Sequence, residues 1–281
     1  MCHYIHKSQE PLMFKKITIE EAKKFSRQSG INQFIVNPYW LAYNGYSEKF
    51  DRELLLYDRD IVFRNDFAYI SLPKSKELWP AAIMTHLTEG DLSKIEKEGI
   101  SLRYKMSYGL EYQYLTKDFV GLKDQRFRKA VHRFENKYKF KIKTNYSKKK
   151  ILDFLEEWEL QQKEKNFIFE MAKDFERFCL NQYKKIGGKR LFIEIDGKLV
   201  AYCLFMKLNK NYWVGVERKV NYKYESLSRF LLYQEALIFK NTPYFTLGSG
   251  AQDKGIEDYK KSLKPFKEDK LYYVITEEKG K

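Results

Sequence analysis

Residues 247–266, LGSGAQDKGIEDYKKSLKPF, gather the side chains in this chain best suited to group transfer. Gly248 and Gly250 flank Ser249 at the end of a β-prone run, where a missing Cβ lets backbone approach a ligand. Gln252, Asp253 and Lys254 lead into a helical pattern carrying Lys260, Lys261 and Lys264, which Pro265 stops. A helix start behind a glycine turn offers unpaired N–H groups to an anion. Asp253 has the chemistry to orient an attacking amine. Lys260, about one and a half turns into the helix, can hold an oxyanion or a phosphate, and Lys264 is its alternate on the same face. Glu217, at the end of another β-prone run, is a candidate general base. The same residues also read as a strand–turn–helix connection with a solvated lysine face, and Glu217 as one half of a surface salt bridge. Transfer from an activated ester needs positioning and oxyanion donors, not a covalent enzyme intermediate. The absence of a Ser-His-Asp or Cys-His pattern is therefore no objection.

A second constellation lies mid-chain. Phe127, Ala130, Val131, Phe134 and Tyr138 fall on one face of a helical pattern, and Arg126, Lys129, Arg133 and Lys137 form a cationic stripe beside it. Such a stripe can track the phosphates of a donor, although basic solvent faces are common on helices. The net charge of +15 draws anionic partners, RNA, an anionic membrane surface or a phosphate-bearing cofactor, without choosing among them. Lysine spread along the chain accounts for much of it. Cys2, Cys179 and Cys203 have no metal spacing, and the two later ones sit in apolar patterns as buried thiols. His3, His6, His86 and His132 are scattered, so no zinc site is expected. The first sixteen residues contain no apolar leader core and no run reaches the length of a membrane span, which points to a cytoplasmic protein. Met13 is an alternative start.

These groups need elements to carry them. Thr18 and Glu21 form a capping box, predicting a helix that ends near Gly30. Residues 31–50 are aromatic and turn-rich. Strands are predicted at 54–57, 61–64 and 67–72, a helix at 88–98, then strands at 100–105 and 111–115. Residues 121–137 form the basic helix, and 139–150 read as a basic linker, which sets the domain boundary at 145/146. Two amphipathic helices follow, then strands at 190–195, 199–208 and 211–217, the first two joined by Asp196-Gly197. A helix at 226–240, a strand at 244–247, a helix at 256–263 and a strand at 271–275 complete the chain. The class is α+β, in two units, 1–145 and 146–281.

Three stretches carry a resemblance. Glu111 to Leu115 (EYQYL), with Gly121-Leu122 and then Arg126 to Phe134 (RFRKAVHRF), resembles an acidic-aromatic strand entering a basic helix. Asp196 to Ala201 (DGKLVA) resembles the GNAT hairpin, and Ser249 to Pro265 an Asp-x-Gly, Lys, Pro signature. Together, over roughly residues 50–275, they make the chain similar to the lysyl-phosphatidylglycerol synthase C-terminal family, aminoacyltransferase-like proteins built as two tandem GNAT units. The resemblance implies two mixed, mostly antiparallel sheets flanked by helices. It also implies an acyltransferase moving an aminoacyl or other activated acyl group to an amine or hydroxyl acceptor. Aminoacyl-tRNA or acyl-coenzyme A is the implied donor. Arg126, Lys129 and Arg133 would contact its phosphates, and Gly248, Ser249, Gly250, Gln252 and Lys264 would line the site. Two departures matter. The multi-helix membrane domain of the lipid-modifying members is not in this sequence, which weakens a lipid acceptor. The turn at 218–226, where coenzyme A users keep glycines for the pyrophosphate, has none, leaving Lys219, Lys223 and Arg229 as side-chain contacts. A coenzyme A-dependent N-acyltransferase acting on a small amine or sugar, and a non-catalytic protein holding RNA or an anionic membrane surface, remain open.

Overall fold

A computed structural model describes residues 15–29, 31–46, 54–57, 60–63, 68–74, 76–80, 82–161, 167–249 and 253–277. Cys2, His3, His6, Met13, Gly30, Gly250 and Gln252 lie outside them, so expectations there have no structural counterpart.

The chain runs through β1 (Lys15–Lys16), α1 (Ile19–Gln28), a 3-10 turn (Phe34–Val36), α2 (Pro38–Tyr46), β2 (Leu54–Tyr57), β3 (Asp60–Phe63), β4 (Ala68–Ile70), a second 3-10 turn (Lys76–Leu78), β5 (Ile83–Leu87), α3 (Glu89–Lys97), β6 (Ser101–Leu115), α4 (Thr116–Val120) and α5 (Gln125–Lys137). It continues with β7 (Phe140–Lys143), α6 (Lys148–Leu160), α7 (Phe167–Ile186), β8 (Lys189–Ile195), β9 (Lys198–Lys207), β10 (Tyr212–Val220), α8 (Leu227–Ile238), β11 (Tyr244–Ser249), α9 (Lys254–Ser262) and β12 (Lys267–Glu277). Local chemistry sets the boundaries. Thr18 and Thr88 make full capping boxes with Glu21 and Asp91, while Asp124 and Asp253 cap α5 and α9 through their carboxylates.

The described strands form one sheet in the order β1-β2-β3-β4-β5-β12-β6-β11-β10-β9-β8-β7. Two joints decide its shape. First, β12 lies between β5 and β6, so the last strand of the chain completes the sheet of the first half. The sheet therefore crosses residue 145 without a break. Second, β10 and β11 are parallel and pair only through Tyr212–Val214 and Tyr244–Thr246. Beyond that, β10 runs on to Val220 while β11 turns away at Gly248, whose φ is +73°. A register shift between Gly215 and Glu217 in β10, and another between Thr246 and Ser249 in β11, accompany the parting.

Strand alternation sends Phe192, Tyr202 and Val214 to one face, under α1, α2, α6 and α7, and Leu191, Cys203 and Trp213 to the other, under α5 and α8. A third, smaller core lies beneath α3. Cys179 and Cys203 are buried free thiols, as their apolar settings predict.

Several expectations change. The strands predicted at 100–105 and 111–115 are one continuous strand, because Gly109 pairs with Leu271 across the expected gap. Residues 31–50 contain α2, and the expected basic linker holds β7 and the start of α6. β7 is an edge strand whose alternating Phe140 and Ile142 are short apolar signals among lysines. No described helix is long and apolar enough to cross a membrane.

Candidate active site

Where β11 leaves β10, the structure assembles a buried polar junction around Glu111. Burial leaves this carboxylate only 2% exposed, on the α1–α2 face of β6. Glu111 Oε1 accepts from the Phe34 backbone N–H at 2.9 Å and from the Thr246 hydroxyl. Thr246 Oγ1 in turn accepts from the Gly248 N–H at 3.0 Å. Lys260 enters from the opposite side. It rides on α9, capped by Asp253, and its Nζ donates to the carbonyls of Leu247 at 2.7 Å and Gly248 at 3.0 Å. The Tyr114 hydroxyl fixes the same turn of helix, donating to the Lys260 carbonyl at 2.9 Å.

The glycine is required by both conformation and space. A Cβ at Gly248 would lie 3.0 Å from Cγ of Phe34, in a backbone state that L side chains rarely adopt. Phe34, Glu111, Thr246, Gly248 and Lys260 thus tie the amino-terminal 3-10 turn, the central strand and the carboxy-terminal helix together.

Burial shifts both ionisable partners towards neutrality. Desolvation raises Glu111 to about 7, opposed by the hydrogen bonds from Thr246 and Phe34 and by the charge of Lys260. Desolvation lowers Lys260 to about 8, opposed by Glu111. A carboxyl and an amine titrating close together near physiological pH are suited to proton movement and to charge stabilisation.

Glu217 and Lys219 follow the register shift of β10 and point to the same face as Tyr202 and Leu204, their partners on β9. Glu217 is 9% exposed and desolvation raises it to about 8. The expected surface salt bridge is therefore corrected to a buried one, with Lys219 Nζ 3.3 Å away. Lys219 also meets Glu176 of α7 and is thereby withdrawn from the phosphate contact expected of it. On the opposite face, Arg218 makes a two-pronged pair with Glu235 at 2.8 and 2.7 Å.

The other expected site residues divide. Gly248 and Lys260 are brought into contact. Asp253 is exposed and spends its carboxylate on capping α9, accepting from the Ile256 N–H at 2.8 Å. Ser249 ends β11. Lys264 is exposed, with a φ of +56°, and pairs with Asp124 at 2.6 Å, not with the junction. Arg126, Lys129 and Arg133 are exposed on α5, where Arg133 pairs with Glu225. They share a face of the sheet with α9 but point to solvent, while the amine of Lys260 points inward. His132 is exposed beside Glu135, as a surface histidine would be. Sequence reasoning missed Glu111, Thr246, Phe34 and Glu176. Glu111 carried a signal, an acid inside an aromatic strand, whereas the contact with Phe34 spans 77 positions. Among the described residues no group of His, Cys, Asp and Glu is arranged to hold a metal ion.

Comparisons with known proteins agree with this architecture. No curated protein sequence matches significantly. A conserved protein of unknown function from Bacteroides thetaiotaomicron superposes with a TM-score of 0.78 at 16% identity, over 94% of this chain and 100% of that one. L-PGS from Bacillus licheniformis gives 0.63 at 14% identity, over 93% and 92%. The C-terminal domain of a putative lysylphosphatidylglycerol synthetase from Agrobacterium fabrum gives 0.59 at 14%, over 91% and 90%. The fold is that of two GNAT-like units in tandem, a mixed sheet flanked by helices. The sequence model of the family described as phosphatidylglycerol lysyltransferase, C-terminal, matches residues 79–277, and this chain therefore belongs to that family.

Proposed function

We propose that the protein is an acyltransferase of the aminoacyl type, moving an activated acyl group from a phosphate-bearing donor to an amine or hydroxyl acceptor. One observation carries the reading: a buried lysine and a buried glutamate, both titrating near neutrality, meet at the glycine turn where two parallel strands part. Membership of the phosphatidylglycerol lysyltransferase family supports the class of reaction. Lys260 is the charge that stabilises the developing oxyanion, and Glu217 is the base that takes the proton of the nucleophile. Asp253 acts by holding the start of α9, and Glu111 by fixing the Gly248 turn and the field at Lys260. Both are positioning residues.

Donor phosphates meet the α5 face through Arg126, Lys129 and Arg133, with aminoacyl-tRNA as the preferred donor. A coenzyme A donor is the weaker alternative, because Lys219, one of three cations available to its pyrophosphate, is turned inward. The same basic face supports peripheral contact with an anionic membrane. The purified chain should transfer the acyl group from aminoacyl-tRNA to an amine or hydroxyl acceptor. Lys260→Met should lower kcat by about a hundredfold or more while leaving the fold intact. Full activity in that variant, or turnover with acyl-coenzyme A alone, would refute the assignment.

A further inference from the structure

The longest described strand is flanked on both sides for only part of its length. β6 lies between β12 and β11 from Glu111 to Leu115, and its pairing with β11 stops there. Among the described residues β12 is the one strand beside Arg103–Ser107, and all five of these residues are exposed. Alternate N–H and C=O groups of that stretch point away from β12, the form in which a sheet accepts a further strand.

The side chains along this edge are suited to recognition. Asp269 and Tyr273, four apart on β12, partner Glu111 and Met106, so Met106 stands on the same side of the sheet as Glu111. Tyr104 joins it there: its hydroxyl donates to Met106 Sδ at 3.5 Å, and its ring meets Tyr273 edge-on at 6.2 Å. Tyr104 and Met106 remain 46% and 45% exposed. On the other side Lys105 sits over the Tyr272 ring at 4.4 Å, with Glu89 3.8 Å away. Arg103 and Lys105 are the only charged residues from 101 to 110. Two copies of this edge paired to each other would set these cations against their counterparts, and like charges on facing strands repel. Charge complementarity therefore selects a foreign strand that carries carboxylates.

Direction follows from β11. That strand runs antiparallel to β6, with Tyr244 opposite Leu115 and Ser249 opposite Glu111, and its φ turns positive at Gly248. A strand added antiparallel along Arg103–Ser107 continues the same line with its amino terminus towards Glu111. Ser107 and Glu111 are separated by roughly 10 Å of extended chain. The terminal amine of such a peptide reaches the Gly248 turn, which Glu111 holds through Thr246 and Lys260 through its carbonyl.

We infer that this edge of β6 binds an acidic peptide in extended, antiparallel form and presents the peptide's N-terminal amine at the Gly248 turn. This rests on the acyltransferase reading for its purpose, and it makes the acceptor a peptide α-amine. In the transfer the ammonium gives one proton to the base and its nitrogen bonds to the acyl carbon. The ester C–O bond breaks, and a second proton leaves with the donor oxygen.

The test uses the full chain and an octapeptide of alternating valine and glutamate with a free amino terminus, read by backbone hydrogen exchange. The peptide should slow exchange across Arg103–Ser107. A peptide with lysine for glutamate should bind about fivefold weaker or more, and Arg103→Glu with Lys105→Glu should invert that preference. Arg103→Glu alone should narrow it, which carries the test if the double variant fails to fold. A benzophenone at the first peptide residue should crosslink near Thr246–Ser249, and one at the last near Ser101–Arg103. No protection of the strand at millimolar peptide, crosslinks in the reverse order, or a charge preference untouched by the variants overturns the inference. Protection that rises with protein concentration in the absence of peptide would assign a second copy to the edge and also overturn it. Binding in the expected direction by a protein that acylates no amine would leave the site standing and refute the acyltransferase reading. Transfer to small amines without protection of β6 would do the reverse.

Discussion

Lys260 illustrates how far a residue's setting decides its chemistry. On the surface its amine would be one more solvated cation in a chain of net charge +15. Buried, with two carbonyls and a carboxylate around it, it titrates at about 8. The consequences for stability have definite signs. Glu111 holds its proton more tightly in the folded state than in the unfolded state. Its contribution is therefore fully present below about 4.5 and is lost as pH rises through about 7. Lys260 does the opposite. Its preference for the neutral form favours folding above about 10.5, and this is lost as pH falls through about 8. Glu111→Gln should flatten the change in urea midpoint between pH 4.5 and 7, and Lys260→Met the change between pH 8 and 10.5. Midpoints that track wild type across both windows would show that neither group is perturbed. A third residue tests packing. Gly248→Ala should cost about 1–3 kcal/mol, from left-handed strain plus contact with the Phe34 ring, read as a lowered denaturant midpoint.

At the scale of elements, α5 and α9 show why pattern reveals a face but not its purpose. Periodicity located the apolar side of α5, and Phe127, Ala130, Val131 and Phe134 are buried as expected. The cationic side needed no partner to form, and its exposure is what any charged helix face would show. Salt dependence separates the readings. Reversing Arg126 and Lys129 to Glu should weaken donor binding and reduce the slope of log K against log salt by about 1.5, at roughly 0.7–0.9 per phosphate contact. An unaltered slope would remove α5 from the donor interface. For α9, the helix was legible from its amphipathic run, whereas Asp253, expected to orient an amine, turned out to be its cap. The inward reach of Lys260 was not legible, because it depends on the carbonyls that β11 exposes where it bends.

The whole molecule is held together by an exchange of strands. β12 pairs along its length with β6 and also with β5, although residues 88–266, more than half of the chain, lie between β5 and β12. Thr276 binds the carbonyls of Trp79 and Ala82 from that position. The two halves of the chain are thus interlocked, and we propose that they divide at 145/146 and that each needs the other to complete the sheet. A fragment ending at residue 145 should fail to give a cooperative unfolding transition alone and should recover one when mixed with residues 146–281. Independent two-state unfolding of the short fragment would show that the exchange is dispensable.

The amino-acid sequence by itself determined local matters: most of the longer helices, the starts of α1 and α3 at Thr18 and Thr88, which faces are apolar, and that a glycine turn precedes a lysine-bearing helix. Each rests on hydrogen bonds and side-chain spacing within a few residues, so neighbours in sequence suffice. Only the tertiary structure decided that Glu111 meets Phe34 and Thr246, that Lys260 turns inward while Asp253 stays outside, and that Glu217 shares Lys219 with Glu176. Those outcomes depend on burial and on pairings across tens to hundreds of positions. Desolvation, which moves Glu111, Glu217, Lys219 and Lys260 towards their neutral forms, has no local signature.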